Sequence, residues 1–540
     1  MSGINPGTRS RTLIVGAMLV LSVITGGWLI ERGTRAGPVS TPAEAARLFD
    51  DVFTKISRNY VDSIDTAAIY RKAVDGMLYE LEDPYTSLLG PDKFGRLTEA
   101  TSGDYAGIGV QVDVRDGWIV VIAPATGGPA ERAGVQPGDR IVAIDGKSAK
   151  DWTLEEAMTL FRGKAGTSVA LRIERPGMLA PIPLTLTREP LHQSAVRRIA
   201  MLANAVGYID LNAFSDSTDR EVTRAVSALV AQGAKSVILD LRSNPGGLLD
   251  QGTRVADLFL DKNQKIVSLR GRTPEANRDY TDSTAQKWPT LPLAILVDDR
   301  SASAAEIVAG ALQDHDRAVI VGEPTYGKGS AQTIIPLGDA GGLKITTSRW
   351  FTPSGRSISR RMTRDDSDTE PPDDSKKKYK TDAGRTVYDG GGITPDVLES
   401  DSTYTAAAHM LQAALGRKVG VFRDALTDYA LSLKVSKTVA SPQFDVTPQM
   451  LDEVWKRMVA RGVVIDKGVY DESASVVKPL LSYDIARYVF GPDAEFRRRV
   501  DNDHAIASAL QLATGATTQR ALLDRAMNRQ KQQRRALGQE

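Results

Sequence analysis

The spacing of apolar residues changes along the chain, and each change announces a different kind of element. Between residues 41 and 100, Phe49, Val52, Phe53, Ile56 and Tyr60 fall on one helical stripe, and Ile69, Ala73, Met77 and Leu81 on another. Pro84 and Pro91 then break the pattern, so a small helical module is predicted there. Residues 101–178 read instead as short strands between glycine turns: YAGIGVQVDV, WIVVIAP, GVQPGDRIVAIDGKSA and SVALRIERPG, with TLEEAMTLFRG as a helix. Asp145-Gly146 marks a hairpin turn. From 179 to 400, the apolar runs VGYIDL, SVILDLR, PLAILVDD and AVIVGEP alternate with helical stretches such as TDREVTRAVSALVAQG. Such alternation predicts an α/β layer fold with a largely parallel core. Residues 401–540 return to helical spacing and close with ALLDRAMNRQKQQRRALGQE, a basic tail expected to be a solvated or partner-facing helix.

Two segments fall outside these periods. Residues 361–386 carry 14 charges in 26 positions and scarcely any apolar residue, which predicts a mobile surface insertion within the α/β part. Residues 1–40 contain TLIVGAMLVLSVITGGWLI, 19 uncharged residues between Arg11 and Glu31. As a helix this segment would be about 28 Å long, close to the hydrocarbon thickness of a bilayer. It reads as a membrane anchor with the body outside the cytoplasm, in the periplasm or cell envelope; a cleaved secretory signal is the alternative.

Composition removes several classes of function. Apolar residues at 41% and charged residues at 25% are ordinary for a folded protein, and a net charge of +1 offers no field for nucleic acid. The absence of cysteine excludes disulfides, thiolate zinc sites and cysteine nucleophiles. With four histidines (His192, His315, His409, His504) far apart in sequence, neither a metal nor a cofactor is expected.

The stretch GEPTYGKGSAQ (322–332) follows an apolar run and looks at first like a phosphate-binding loop. That fails, because Gly329 stands where a Ser or Thr must reach Mg²⁺, and QTIIP reads as a strand rather than a helix. Lys328 therefore needs another role. In SASAAEIVAGALQD (301–314), apolar residues at 304, 307, 308, 311 and 312 form one helical stripe, placing Ser303 at a helix N-terminus directly after a strand. A serine there can cap the helix, as Ser301 also could, or present its hydroxyl beside amides that stabilise an oxyanion. A nucleophilic serine needs a base, and His315 is about 18 Å along the same helix. A desolvated lysine amine can serve, and Lys328 lies in a glycine-flanked turn between two apolar strands.

Pro-Gly-Asp-x-Ile-x-x-Ile-Asp-Gly within 101–178 resembles a bacterial protease PDZ domain, which adds a peptide as a strand to a sheet edge. The resemblance implies carboxylate capture by the loop Ala106, Gly107, Ile108, Gly109 and Val110. Ser-Ala-Ser-Ala-x-Glu, Gly-x-x-Thr-x-Gly-Lys-Gly-x-x-Gln, Asp240-Leu241-Arg242-x-Asn244-x-Gly246-Gly247, Phe351-x-Pro353-x-Gly355 and Ile393-Thr394-Pro395-Asp396 together resemble the carboxyl-terminal processing peptidases, over about 41–400. That likeness implies a ClpP/crotonase-like α/β protease core with an inserted PDZ domain. It implies Ser303 as nucleophile, Lys328 as base, Gln332 orienting the lysine, and an oxyanion hole from Gly246 or Gly247 with Ala304. Substrates would be proteins or peptides with free, apolar C-termini. Arg162, at the end of the PDZ helix, either links ligand capture to the active site or caps the helix. A homo-oligomer or an activating partner protein is a further expectation, and a catalytically silent PDZ scaffold is the alternative function.

Overall fold

Thr41 opens the first helix, α1 (Pro42–Asn59), its hydroxyl accepting from Glu44 N–H while the Glu44 carboxylate accepts from Thr41 N–H. The computed structural model describes residues 41–360, 377–400 and 406–536. The apolar segment 12–30 and residues 361–376 of the charged insertion lie outside them. Among the described residues no helix is long and apolar enough to cross a membrane. The first unit ends at Pro84 and comprises α1 and α2 (Thr66–Tyr79), where Phe53 stacks on Phe49 and meets the Tyr70 ring edge-on.

The second unit starts at Tyr85. Helix α3 (Pro91–Ser102) stops at Gly103, whose φ of 79° turns the chain into β1 (Asp104–Gly107). An antiparallel sheet follows in the order β2 (Val110–Arg115), β3 (Trp118–Pro124), β4 (Arg140–Ile144), β5 (Ser168–Glu174) and β6 (Ile182–Thr187), with α4 (Leu154–Phe161) against it. Strand β5 alternates strictly between exposed and buried residues, the mark of a sheet with one face on a core. That core holds Ile108, Ile119, Ile141, Ile144 and Phe161. The chain leaves this domain through β7 (Glu189–His192), which pairs antiparallel with β1, Asp104 opposite His192. Entry and exit thus form one two-stranded stalk.

The α/β layer comprises β8 (Val196–Met201), β9 (Val206–Leu211), α5 (Thr218–Ala231), β10 (Ser236–Asp240), α6 (Leu249–Asp257), β11 (Lys265–Gly271) and β12 (Arg278–Thr281). It continues with β13 (Leu293–Val297), α7 (Ala304–Asp314), β14 (Val319–Gly322), β15 (Ser330–Pro336), β16 (Gly342–Phe351) and β17 (Val397–Leu398). Strands β9, β10, β13, β14 and β17 are parallel, and β8 runs antiparallel at the edge. Every residue of β9, β10, β13 and β14 is buried, as continuous apolar runs require of a sheet covered on both faces.

Helices α5, α6 and α7 cover one face. The other is covered by helices at the far end of the chain, α13 (His504–Ala513) and α14 (Gln519–Ala536), through Ile506, Ala509, Leu512, Leu522 and Leu523. Helix α14 therefore differs from the solvated or partner-facing tail its composition predicts. Its polar sequence carries a narrow apolar stripe at Leu522, Leu523 and Ala526, enough to seat one face on the sheet. Before it, α8 (Ala406–Leu415), α9 (Val419–Ser436), α10 (Pro448–Ala460) and α11 (Ala474–Ile485) carry a separate apolar core, while α12 (Pro492–Asn502) packs Phe496 and Val500 against the core under α13 and α14. Helix α9 touches the β-domain, where Leu431 fills the space over Gly138 and Lys434 Nζ donates to Pro137 O at 3.0 Å.

The second part of the charged insertion is structured. Lys378–Lys380 pairs with Thr386–Tyr388, and Arg385 lies nearly buried between Asp316 and Asp396. Charge that composition reads as solvated is here neutralised pairwise. The same holds for Arg356, wholly buried and donating to Asp314 Oδ1 at 2.9 Å and Gln313 Oε1 at 2.7 Å. Removing one partner of such a pair strands the other charge in the interior. Arg356→Met is expected to lower stability by about 3–5 kcal/mol in urea unfolding.

Candidate active site

Strand β13 delivers the chain to residues 298–303, and hydrogen bonds fix that loop from beneath. Ser301, fully buried, donates to Leu241 O at 2.8 Å and accepts from Asp298 N–H at 2.9 Å. Its hydroxyl thus ties the loop to the end of β10. Asp298 in turn accepts from Ser243 N–H at 2.8 Å. Ser303 follows with φ 57° and ψ −116°, a left-handed conformation that costs a serine roughly 1–3 kcal/mol and is held by its surroundings. Ala304 then starts α7.

What holds Ser303 is Glu306, three residues into the helix and fully buried. Its carboxylate accepts from Ser303 N–H at 2.7 Å, and from three groups of the next loop. These are Thr325 Oγ1 at 2.6 Å, Gly327 N–H at 2.7 Å and Lys328 N–H at 2.9 Å. Burial pushes the Glu306 carboxyl above its ordinary pKa, with the Thr325 hydroxyl and the three amides pulling against it. The Thr325 oxygen already accepts from Ile393 N–H at 2.7 Å, so its own proton points at Glu306. All four partners are then donors, and the site requires an acceptor on both carboxylate oxygens.

The lysine segment is fixed from its other side as well. Trp350, almost fully buried, donates its indole N–H to Lys328 O at 3.0 Å and its backbone N–H to Gly329 O at 3.0 Å. Gly327 and Gly329 press so closely on Arg360 and Ser359 that a Cβ at either position would meet them at 2.8 and 2.3 Å. The half-buried Lys328 side chain carries its ammonium 4.8 Å over the Tyr85 ring. Gln332 stands at a bulge in β15, its carboxamide donating to Ser330 Oγ at 2.9 Å and Thr346 Oγ1 at 3.2 Å.

The Pro245-Gly246-Gly247 turn packs directly on the serine. A Cβ on Gly246 would lie 2.7 Å from Ser303 Cβ and 2.9 Å from Ala304 N. Buried Asn244 shapes this turn by donating to Leu211 O at 2.7 Å and accepting from Gly246 N–H at 2.9 Å. That bond engages the Gly246 amide. Gly247, next along, is exposed and bridges Phe214, and Ala304 N–H heads the first turn of α7. Arg242, two residues before Asn244, is clamped by Asp240 and by Asp503, each at under 3 Å.

The remaining sequence-predicted residues lie on and around the stalk. Ala106 O accepts from Gly163 N–H, and Ile108, buried in the β-domain core, donates its N–H to Phe161 O at 3.2 Å. Gly107 bridges Arg162, Gly109 adopts φ 69°, and Val110 starts β2. Arg162 ends α4, its guanidinium bonded to Glu99 at 2.7 Å and 5.0 Å over the Tyr105 ring. The structure thus gathers Ser303, Ala304, Gly246 and the Lys328 loop in one place, with Arg162 and the Ala106–Val110 loop grouped at the β-domain.

Residues 205–368 match the profile of peptidase family S41, residues 120–175 that of a PDZ domain, and residues 33–92 the activating protease CtpB N-terminal domain. Over 424 residues the chain is 32% identical to carboxy-terminal processing protease CtpA of Bacillus subtilis (strain 168), covering 77% of this chain and 88% of that protein. This chain belongs to the carboxy-terminal processing proteases. A carboxy-terminal-processing protease of Bartonella bacilliformis is 38% identical over 349 residues, 64% of this chain and 79% of that one. Among solved structures, the photosystem II D1 C-terminal processing protease is similar at 28% identity and a TM-score of 0.36, covering 66% of this chain and 92% of that one. The β-domain is therefore the PDZ domain of a serine peptidase, and the α/β layer its peptidase core.

Sequence reasoning passed over Glu306, Thr325, Trp350, Asn244 and Tyr85 as site residues. A glutamate three positions after a helix-starting serine is a capping signature, and it could have flagged half of the Glu306 arrangement. Its other half comes from a loop some twenty residues on and has no local signal. Glu306→Gln turns a donor toward backbone N–H groups that need an acceptor. It is expected to cost about 1–3 kcal/mol for each N–H left unmet, read by thermal unfolding. Cleavage of an unfolded protein substrate should fall by roughly a hundredfold or more, read as kcat.

Proposed function

We propose that this carboxy-terminal processing protease is a Ser-Lys endopeptidase that takes its substrates by their C-terminal tails. The observation that carries this reading is the shared Glu306 carboxylate, which fixes the backbones of Ser303 and Lys328 against one buried point. The PDZ domain binds an extended peptide by strand addition, with the apolar tail as ligand. Lys328, unprotonated, takes the proton from Ser303 Oγ, and that oxygen attacks the scissile carbonyl carbon. The developing oxyanion is met by the N–H groups of Gly247 and Ala304; engagement of Gly246 N–H by Asn244 favours Gly247 between the two glycines.

Collapse of the tetrahedral intermediate breaks the C–N bond, and Lys328 gives its proton to the leaving amine. Water, deprotonated by the same lysine, then attacks the acyl-enzyme ester and releases the serine. Gln332 orients Lys328 in this scheme, a role that needs its carboxamide to move from Ser330 and Thr346 toward the ammonium. The apolar segment 12–30 would hold the protease at a membrane with its body outside the cytoplasm.

The test is cleavage of a loosely folded protein ending in apolar residues, by the parent and by Ser303→Ala and Lys328→Ala. Both variants are expected to lose at least about a thousandfold in kcat while still binding the tail. Undiminished cleavage by either one would remove that residue from the mechanism.

A further inference from the structure

The stalk that carries the PDZ domain ends in a histidine gripped by two carboxylates on different parts of the molecule. His192 closes β7, its Nδ1 lying 2.7 Å from Asp104 Oδ1 on the entering strand β1 and its Nε2 2.8 Å from Glu221 Oε1 in the first turn of α5. A neutral imidazole has one N–H and can satisfy only one of these acceptors; the imidazolium donates to both. Glu221 is itself fixed. It is buried and accepts from Ser217 Oγ at 2.5 Å, Val196 N–H at 3.1 Å and the Ser194 hydroxyl. The charged groups facing the ring are Asp104 from the stalk and Glu221 from α5, with the neutral Ser217 hydroxyl 3.2 Å from Nε2.

We propose that His192 is a positioning residue for tail-directed cleavage: as an imidazolium it fastens the PDZ stalk to the peptidase core, and its deprotonation releases that hold. Among the described residues, three backbone-to-backbone hydrogen bonds lie nearby. Gln193 N–H donates to Gly103 O at 2.7 Å, Asp216 N–H to Thr101 O at 3.0 Å, and Asn212 N–H to Ala195 O at 2.9 Å. The first continues the β1–β7 ladder, the second ties the linker before β1 to the core and the third secures the chain after β7; the ring, with the Ser194 hydroxyl just beyond the stalk, provides the side-chain link to α5.

The direction of the pH dependence follows from the charges. Hydrogen bonds to Glu221 and then Asp104 raise the His192 pKa above its ordinary 6.5, against the opposing effect of burial. Burial disfavours the Glu221 anion, yet the donors His192, Ser194, Ser217 and Val196 hold its carboxyl at about 2. A histidine raised on folding contributes fully below 6.5, and the contribution is lost as pH climbs through the raised value. The latch is closed in mildly acidic solution and opens in alkali.

The chain has no cysteine, so two spin labels can be placed cleanly on the full-length protein at exposed Lys147 of the PDZ domain and Lys235 of the core. With Lys147→Cys and Lys235→Cys in a Ser303→Ala background, pulsed electron resonance reads the distance distribution at about pH 6 and pH 9. The inference uses the proposed function only in taking the PDZ domain as the tail carrier, and this readout needs no cleavage, so the two can fail separately. The parent is expected to give a narrow distribution at pH 6 and a broader or displaced one at pH 9. His192→Gln should give the broad form at both. Because His192→Gln could disturb α5, Asp104→Asn serves as a second variant at an exposed carboxylate and should also lose most of the pH dependence. A parent distribution identical at both pH values would overturn the proposal, as would variants that keep the parent's pH response.

Discussion

Four donors converge on the Glu306 carboxylate, and the geometry of the candidate active site depends on that convergence. Ser303 stands at positive φ, where a serine left to itself would relax toward a more populated conformation. The Lys328 loop runs through glycines, which have no intrinsic preference for the path they follow. Neither segment would keep its geometry on local propensity. A buried carboxylate with two oxygens and four donors fixes both at once, because a buried N–H without an acceptor costs about as much as the strain it prevents. One buried acid thus positions both backbones.

The same logic extends outward through Asn244 and Arg242. Asn244 holds the Gly246 turn against Leu211, and Arg242 is held between Asp240 of the core and Asp503, the residue that caps α13. Burial alone would raise the Asp240 carboxyl, yet the adjacent Arg242 and its hydrogen bonds keep it below its ordinary value. A charge pair in the peptidase core therefore has its third member some 260 residues further along the chain. Together with the apolar contacts of Ile506, Leu512 and Leu522, this makes the last helices part of the catalytic layer rather than an appendage.

Much of this was legible in the sequence, for reasons that can be separated. Mostly apolar runs marked β9, β10, β13 and β14 because a sheet covered on both faces leaves few positions for a polar residue, here Asp210, Ser236 and Asp240 near the strand ends. Helix α7 was legible through its stripe, and the PDZ domain through its turn residues, whose backbone demands are local. The fold class follows from these elements, whereas the family was legible through its resemblance in the motifs around Ser303, Lys328 and Gly246-Gly247. What escaped depends on contacts distant in sequence. Helix α14 looks solvated until the sheet that receives Leu522 and Leu523 is in place, and Arg385 reads as a mobile charge until Asp316 and Asp396 close on it. His192 had no suggestive neighbours in sequence, since its two carboxylates come from β1 and α5.

The contrast between the two kinds of junction bears on how such a protease can be controlled. The peptidase sheet and its helices are joined by a continuous apolar core, and separating them would expose side chains worth roughly 1.5–3 kcal/mol each. The PDZ domain is joined to that core through a two-stranded stalk, a histidine between carboxylates and a few backbone hydrogen bonds, with α9 touching its far side at Leu431 and Lys434. Small junctions of this kind permit relative domain motion by default. Changes of proton or ligand binding, each worth a few kcal/mol at most, are commensurate with the second junction and far too small for the first. On the proposed reading, the stalk is the junction at which proton or ligand binding could shift substrate delivery while the Ser303 and Lys328 backbones stay fixed through Glu306.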